Sequence, residues 1–176
     1  MLYVIFEELC EREEFKKCNL QRNKSYRYLR LDENTTFDAH LHEIKTNNNF
    51  TIEDFKTFCE EYEFTPDQVR TIYSIVATII LLGEIEFTED EFEAITVVNE
   101  DTLEVIAELL GIDCKQLSWS LTNYCLVNKG IAYKKQQTLR EAEGTRDVLA
   151  GNLYSKLVDY VVAVINHKLS YGIAIL

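Results

Sequence analysis

The sequence predicts a single, mainly helical domain with a few short strands. Apolar residues recur at spacings of four and three from Leu149 to Val164, which is the stripe of an α-helix packed on a core. A second apolar run, Ile72–Leu82, has the length of a buried helix. Short apolar runs beside turn residues, as around Asn128-Lys-Gly, are instead typical of strands. The 176 residues, 47 % of them hydrophobic, are enough for one real core.

Local signals predict where helices begin and end in the first half of the chain. The spacing of apolar residues at 2–9 predicts an opening helix, and Thr51 is placed to cap a second helix running through Phe64. Thr65 is a stronger start, because proline follows it and glutamine lies three residues after it. We expect that third helix to end at Gly83 in the left-handed conformation.

Short strands are predicted next, at Ile85–Phe87 and Ile95–Val98, followed by a helix from Asn99 to Gly111. Asp113 then provides the start of another helix. The acidic residues of the Glu84–Glu93 segment lack the glycine and the spacing of a calcium loop, so we interpret them as a solvated surface.

The last third combines a hairpin with a long helix. Tyr124–Val127 and Ile131–Lys135 flank Asn128-Lys-Gly, which is the chemistry of a tight hairpin turn. Thr138-Leu-Arg-Glu is a capping box that opens the long helix. The apolar residues Gly172–Leu176 predict a final strand with no turn after it.

Composition excludes several classes of protein. A net charge of −12 argues against nucleic acid and anionic membranes as main partners, because both require a positive field. The longest apolar run, Ile72–Leu82, is far shorter than the roughly 20 residues of a membrane span. Five cysteines without a CxxC pair, and no signal peptide, predict reduced thiols in the cytoplasm.

One segment departs from this acidic balance. From Asn128 to Arg140 there are four basic residues (Lys129, Lys134, Lys135 and Arg140) and no acidic one. Such a hairpin is suited to docking on an acidic partner. The alternative is a solvent-exposed hairpin whose lysines only maintain solubility, and the residues alone favour neither.

Several segments resemble the myosin motor head, in the order and at about the spacing of that family. RDVLAGNLYSKLVDYVVAVIN (Arg146–Asn166) resembles its long RDALAK-containing helix, with Gly151 in place of the lysine. Upstream lie SYRYLR (Ser25–Arg30), IYSIVATIILLGEIEF (Ile72–Phe87) and LEVIAELLGID (Leu103–Asp113). LSWSLTNYCLVNKGIA, which begins at Leu117, is most similar to class III myosins.

The resemblance implies that residues 1–176 are a partial motor domain. They would form the upper half of the actin-binding cleft, in the upper fifty-kilodalton region between the first and second nucleotide switches of a P-loop NTPase-type fold. The parent would be an actin-based, ATP-driven motor of the cytoplasmic actin cytoskeleton. Its implied partners are the actin filament, the rest of the heavy chain and calmodulin-type light chains. In this family the basic hairpin touches actin, and the implied actin-binding residues are Asn128, Lys129, Gly130, Ile131, Lys134 and Lys135.

No catalytic, nucleotide-binding or metal-ligating residues are predicted within the chain. None of the six glycines fits a GxxxxGK[ST] phosphate loop, so ATP and magnesium would be bound elsewhere in the intact parent. His40 and His42 form an H-x-H pair, but they lie in polar residues 32–50, predicted to be a loop, without further ligands. Two alternatives remain: a stand-alone, non-enzymatic helical module derived from a motor, or a degenerate head that binds actin without turnover.

Overall fold

The computed structural model describes residues 2–29, 51–92 and 94–173. The predicted loop at 32–50 and its histidine pair lie outside these ranges. The described helices are α1 (Leu2–Leu9), α2 (Ile52–Glu61), α3 (Pro66–Leu82), α4 (Glu100–Leu110), α5 (Cys114–Thr122) and α6 (Leu139–Ile173). The strands are β1 (Phe87–Glu89), β2 (Ile95–Val97), β3 (Asn123–Asn128) and β4 (Ile131–Gln136), and 3₁₀ turns occur at Glu13–Cys18 and Arg27–Leu29.

Helix α3 is the centre of the core. Its residues are apolar on all sides, and every position from Val76 to Leu82 is buried. A helix of this composition must be surrounded by other elements, and α1, α4 and α6 pack around it. The structure therefore confirms the predicted core helix in this part of the chain.

Three of the predicted helix starts, at Thr51, Thr65 and Thr138, are confirmed as capping boxes by their hydrogen bonds. Thr65 Oγ1 accepts from the amide of Gln68, and the Gln68 side chain accepts from the amide of Thr65. The same reciprocal capping begins α2 at Thr51 and α6 at Thr138. Helix α2 ends earlier than predicted, because Glu63 adopts a left-handed φ of 50° and the chain turns there.

The prediction of a left-handed Gly83 is wrong. Gly83 has φ −61° and ψ −20°, which any residue can adopt. Its lack of a side chain has a different cause: a Cβ here would lie 3.0 Å from the ring of Tyr28 and 3.1 Å from Cβ of Arg27. Glycine is thus required by the close approach of the 27–29 turn to the end of α3.

Strand β1 begins two residues later than predicted, at Phe87. The preceding residues are held by Asn99: its Oδ1 accepts from the amide of Glu86 at 3.0 Å, and its Nδ2 donates to the carbonyl of Glu84 at 2.7 Å. β1 then pairs antiparallel with β2. Helix α4 follows Asn99 as predicted and ends at Gly111, whose φ of 67° is the expected left-handed stop.

Helix α6 continues further than the sequence predicts. Gly172 and Ile173 belong to this 35-residue helix, so the strand predicted at 172–176 is wrong for those two residues, and the other three lie outside the described ranges. A short apolar run can be a strand or the end of a helix. Five residues are too few for the periodicity of their apolar positions to distinguish the two.

The apolar stripe of α6 is only partly covered. Leu157 is buried, and Leu149, Leu153 and Val161 pack against the core at intermediate burial. Large apolar side chains on its other faces are exposed, namely Val148, Tyr154, Val158, Val162 and Leu169. By length and composition alone, residues 139–170 would suffice to cross a membrane. One such helix is weak evidence for a span, because long core helices of soluble proteins pass the same test.

A polar cluster joins α6 to two distant parts of the chain. Arg146 is only 4 % exposed, and its Nη1 donates to the carbonyl of Ile85, just beyond α3, at 2.8 Å. Its Nε donates to Asp147 at 2.9 Å. Asp147 also accepts from the Tyr28 hydroxyl and from Arg27. Burial acts to raise the pKa of Asp147, but the Tyr28 hydrogen bond and the two arginines hold it below its ordinary value.

Candidate functional site

The basic segment forms a two-stranded hairpin that extends from the core. Lys129 and Gly130 connect β3 to β4 with φ values of 49° and 79°. Two consecutive positive φ angles are the signature of a type I′ turn, whose twist matches that of the strands. The predicted hairpin is therefore confirmed, and every residue of β4 is exposed.

The strand register divides the hairpin into two faces. Tyr124 pairs with Lys135, Leu126 with Tyr133, and Asn128 with Ile131. Because side chains alternate along a strand, these three pairs share one face, which we call the tyrosine face. Its apolar members are open to solvent: Leu126, Ile131 and Tyr133 are each about half exposed.

The opposite face carries a different set of side chains. Cys125 pairs with Lys134, and Val127 pairs with Ala132. Lys134 and Lys135 therefore point to opposite sides of the hairpin. The six residues implied as one site are consequently not one surface, because Lys134 is separated from Ile131 and Lys135 by the thickness of the sheet.

The single charged group of the tyrosine face lies beside an aromatic ring. Lys135 Nζ lies 5.7 Å from the centroid of the Tyr124 ring. A hydrogen bond with Tyr124 raises the pKa of Lys135 above its ordinary value. Arg140, which the sequence grouped with the hairpin lysines, lies instead in the first turn of α6.

Gln137 anchors the hairpin to α6. Its amide donates to the carbonyl of Thr122 at 3.0 Å, and its buried side chain accepts from the hydroxyl of Thr145 at 2.9 Å. The sequence-based prediction of the site includes Ile131 but misses Gln137 and Thr145, as well as Leu126 and Tyr133 of the tyrosine face. The alternation of residues on the two strands contains the signal for that face, but the prediction considers only the lysines and the residues at the turn.

The described residues give no indication of a nucleotide or metal site in this chain. No group of three or more His, Cys, Asp or Glu side chains within 2–29, 51–92 and 94–173 is placed to hold a metal ion. The glycine spacing likewise does not fit a phosphate cradle. ATP and magnesium therefore do not fit the residues present here.

Comparison with known proteins identifies the family. A model of the myosin head (motor domain) matches residues 1–174 of the chain. The chain belongs to the myosin head family. The matched range includes the hairpin and all of α6, so the mostly exposed long helix is part of a myosin head.

The curated myosin relatives include class III members. One relative is the Drosophila melanogaster protein named "Neither inactivation nor afterpotential protein C". It is 33 % identical to this chain over 167 residues, which cover 94 % of this chain and 11 % of the relative. Myosin-IIIa of Homo sapiens is 31 % identical, covering 97 % of this chain and 11 % of the relative. Unconventional myosin-Vc of Homo sapiens is 29 % identical, with 97 % and 10 % covered. The chain thus spans about a tenth of the length of these relatives.

Proposed function

We propose that this chain is part of an actin-based, ATP-driven myosin motor and that its hairpin docks on the actin filament. Membership of the myosin head family supports the motor, since the family is defined by its motor domain. The observation that carries the docking role is the hairpin itself: an exposed, acid-free, lysine-bearing element on a chain of net charge −12.

The position within the motor is part of the same proposal. Residues 1–176 form the upper part of the actin cleft, and α6 leads towards the second nucleotide switch. ATP and magnesium are bound by other segments of the motor. The rest of the heavy chain and calmodulin-type light chains complete the assembly, which acts in the cytoplasm on the actin cytoskeleton.

The geometry favours the tyrosine face as the surface that meets actin. Leu126, Ile131 and Tyr133 offer apolar area for contact, and Lys135 adds charge at the edge of the same face. Apolar side chains surrounded by a charged rim are typical of protein interfaces. Rim charges mainly accelerate association, and salt screens them. Lys134, on the other face, contributes only to the long-range field.

The test is cosedimentation with actin across a salt series, using the complete motor that contains this chain. Changing Lys129, Lys134 and Lys135 together to glutamate will weaken actin attachment about tenfold at low salt, because three attractive charges become repulsive. The loss will shrink as salt rises. Basal ATPase will stay unchanged, whereas actin-stimulated ATPase will fall.

Two controls sharpen this experiment. Glutamate at Lys16, Lys115 and Lys156, which are not part of the hairpin, makes the same change in net charge and should leave attachment nearly unaltered. Within the hairpin, Lys135→Glu should weaken attachment more than Lys134→Glu, because only Lys135 lies on the tyrosine face. Unchanged affinity of the hairpin triple variant at low salt would show that the hairpin is only a solvated loop.

A further inference from the structure

The direction in which the hairpin points is set at its base. Every residue of β4 is exposed, and so are the residues of β3 from Cys125 to Asn128. Strands this exposed have little apolar packing on the rest of the described chain. Their orientation is therefore decided where β3 leaves α5 and where β4 joins α6 through Gln137 and Thr138.

Gln137 lies at this base and is buried, with 6 % of its surface exposed. Its backbone amide donates to the carbonyl of Thr122 at 3.0 Å. Its side-chain Nε2 donates to the carbonyl of Asn123 at 3.4 Å, and its Oε1 accepts from the hydroxyl of Thr145 at 2.9 Å. One residue is thus bonded to α5, β3 and α6. We call Gln137 and these three partners the polar clasp.

The two clasp residues at the end of α5 are themselves held in place. The Nδ2 of Asn123 donates to Thr122 Oγ1 at 2.8 Å and to the carbonyl of Trp119 at 3.3 Å. Thr122 is buried, and its hydroxyl donates to the carbonyl of Ser118 at 2.9 Å. The first residue of the hairpin is therefore fixed on the last turn of α5, and Gln137 extends this network to α6.

The polar character of the clasp suits it to fixing an angle. Burying the amide of Gln137 is unfavourable unless its polar atoms find partners, so stability alone would favour an apolar side chain here. Hydrogen bonds depend on direction, whereas apolar contacts do not. A buried polar network that is satisfied makes its surroundings rigid. The clasp thus restrains the tilt of the hairpin on α6 as well as its contact with that helix.

We propose that Gln137 is a positioning residue, which holds the hairpin at the angle that presents the tyrosine face to actin. This inference rests on the proposed docking of the hairpin on the actin filament. Gln137 itself is buried and acts through the orientation of β3 and β4. A hairpin that swings freely is in the binding orientation for only part of the time, and its apparent affinity falls by that fraction. Ordering it on binding also costs conformational entropy.

The test is cosedimentation with actin, using the complete motor that contains this chain. Gln137→Met removes the side-chain amide at nearly constant volume and charge. It should weaken actin attachment about 3- to 10-fold, which corresponds to a hairpin in the binding orientation for about a tenth to a third of the time. Gln136→Met is the matched control and should bind like the parent, because Gln136 is exposed and lies on the face opposite the tyrosine face.

Three further readouts separate positioning from a general loss of structure. Thr145→Val, which removes the hydroxyl that bonds Gln137, should weaken attachment, whereas Thr145→Ser keeps the hydroxyl and should restore it. In actin-stimulated ATPase, Gln137→Met should raise the actin concentration for half-maximal rate and leave the maximal rate at that of the parent. Because no charge changes, its loss of affinity should be the same at low and high salt.

Several results would overturn the inference. These are parent-like actin affinity of Gln137→Met, equal weakening by Thr145→Ser and Thr145→Val, or a lowered maximal rate. The glutamate triple variant of Lys129, Lys134 and Lys135 is measured alongside. If that variant weakens attachment and Gln137→Met does not, only the positioning role is wrong. If neither does, the hairpin does not dock on actin and both proposals fail.

Discussion

Replacing Arg146 with methionine will lower the free energy of unfolding by about 2–3 kcal/mol. The guanidinium is almost fully buried and joins the carbonyl of Ile85 to Asp147. Methionine fills a similar volume but donates no hydrogen bond. The substitution therefore leaves a buried carbonyl unpaired and removes a cation from beside a carboxylate.

The measurement is urea unfolding at sub-micromolar protein, followed by the fluorescence of Trp119, the single tryptophan of the chain. Arg140→Met makes the same substitution at an exposed position of the same helix and should shift stability by less than about 0.5 kcal/mol. If both variants unfold at the same urea concentration as the parent, the Arg146 contacts contribute nothing to stability.

Gly83→Ala should be the next most damaging change, lowering the free energy of unfolding by about 1–3 kcal/mol. The backbone conformation of Gly83 suits alanine, so the cost is entirely steric. The added Cβ would meet the Tyr28 ring at 3.0 Å, and that ring cannot easily retreat because its hydroxyl is bonded to Asp147. Burial and this carboxylate raise the pKa of Tyr28 to about 12, so the donor is retained across the physiological range.

Gly151→Ala is the matched control. Gly151 lies within α6, and an added Cβ there would have no neighbour within 4 Å. Alanine has the higher helix propensity, so this variant should be more stable by about 0.5–1 kcal/mol. Thermal or urea unfolding measures the stability of Gly83→Ala and of Gly151→Ala against the parent. A Gly83→Ala protein that is as stable as Gly151→Ala would mean that the turn at 27–29 adjusts freely.

Local chemistry made much of the fold predictable from the sequence. The capping boxes at Thr65 and Thr138 involve residues only three positions apart, and both helices begin where those signals stand. The hairpin turn at Lys129 and Gly130 is likewise encoded in adjacent residues. The order of helices and short strands followed from such signals together with apolar spacing.

Errors arose where distant residues decide the outcome. The sequence predicts a left-handed Gly83 because it does not show that Tyr28, 55 positions earlier, packs against this glycine. The bond from Arg146 to Ile85 spans 61 positions and leaves no local signature. For the candidate site, the turn and the lysines were predictable, but the anchor from Gln137 to Thr145 depends on how the hairpin sits on α6.

Thr145 and Arg146 are consecutive residues of one helical turn, and each holds a different part of the molecule. Thr145 is bonded to the base of the hairpin through Gln137, while Arg146 is bonded to Ile85 beside the central helix. A load applied at the hairpin tip therefore reaches α6 through the backbone and the Thr145 bond, and reaches the core through helix packing and the Arg146 bond. Of the two hydrogen bonds, the neutral bond of Thr145 is the weaker, because bonds to charged groups are stronger. Under tension the Thr145 bond would break before the Arg146 bond, and the base of the hairpin would loosen while α6 still held the core.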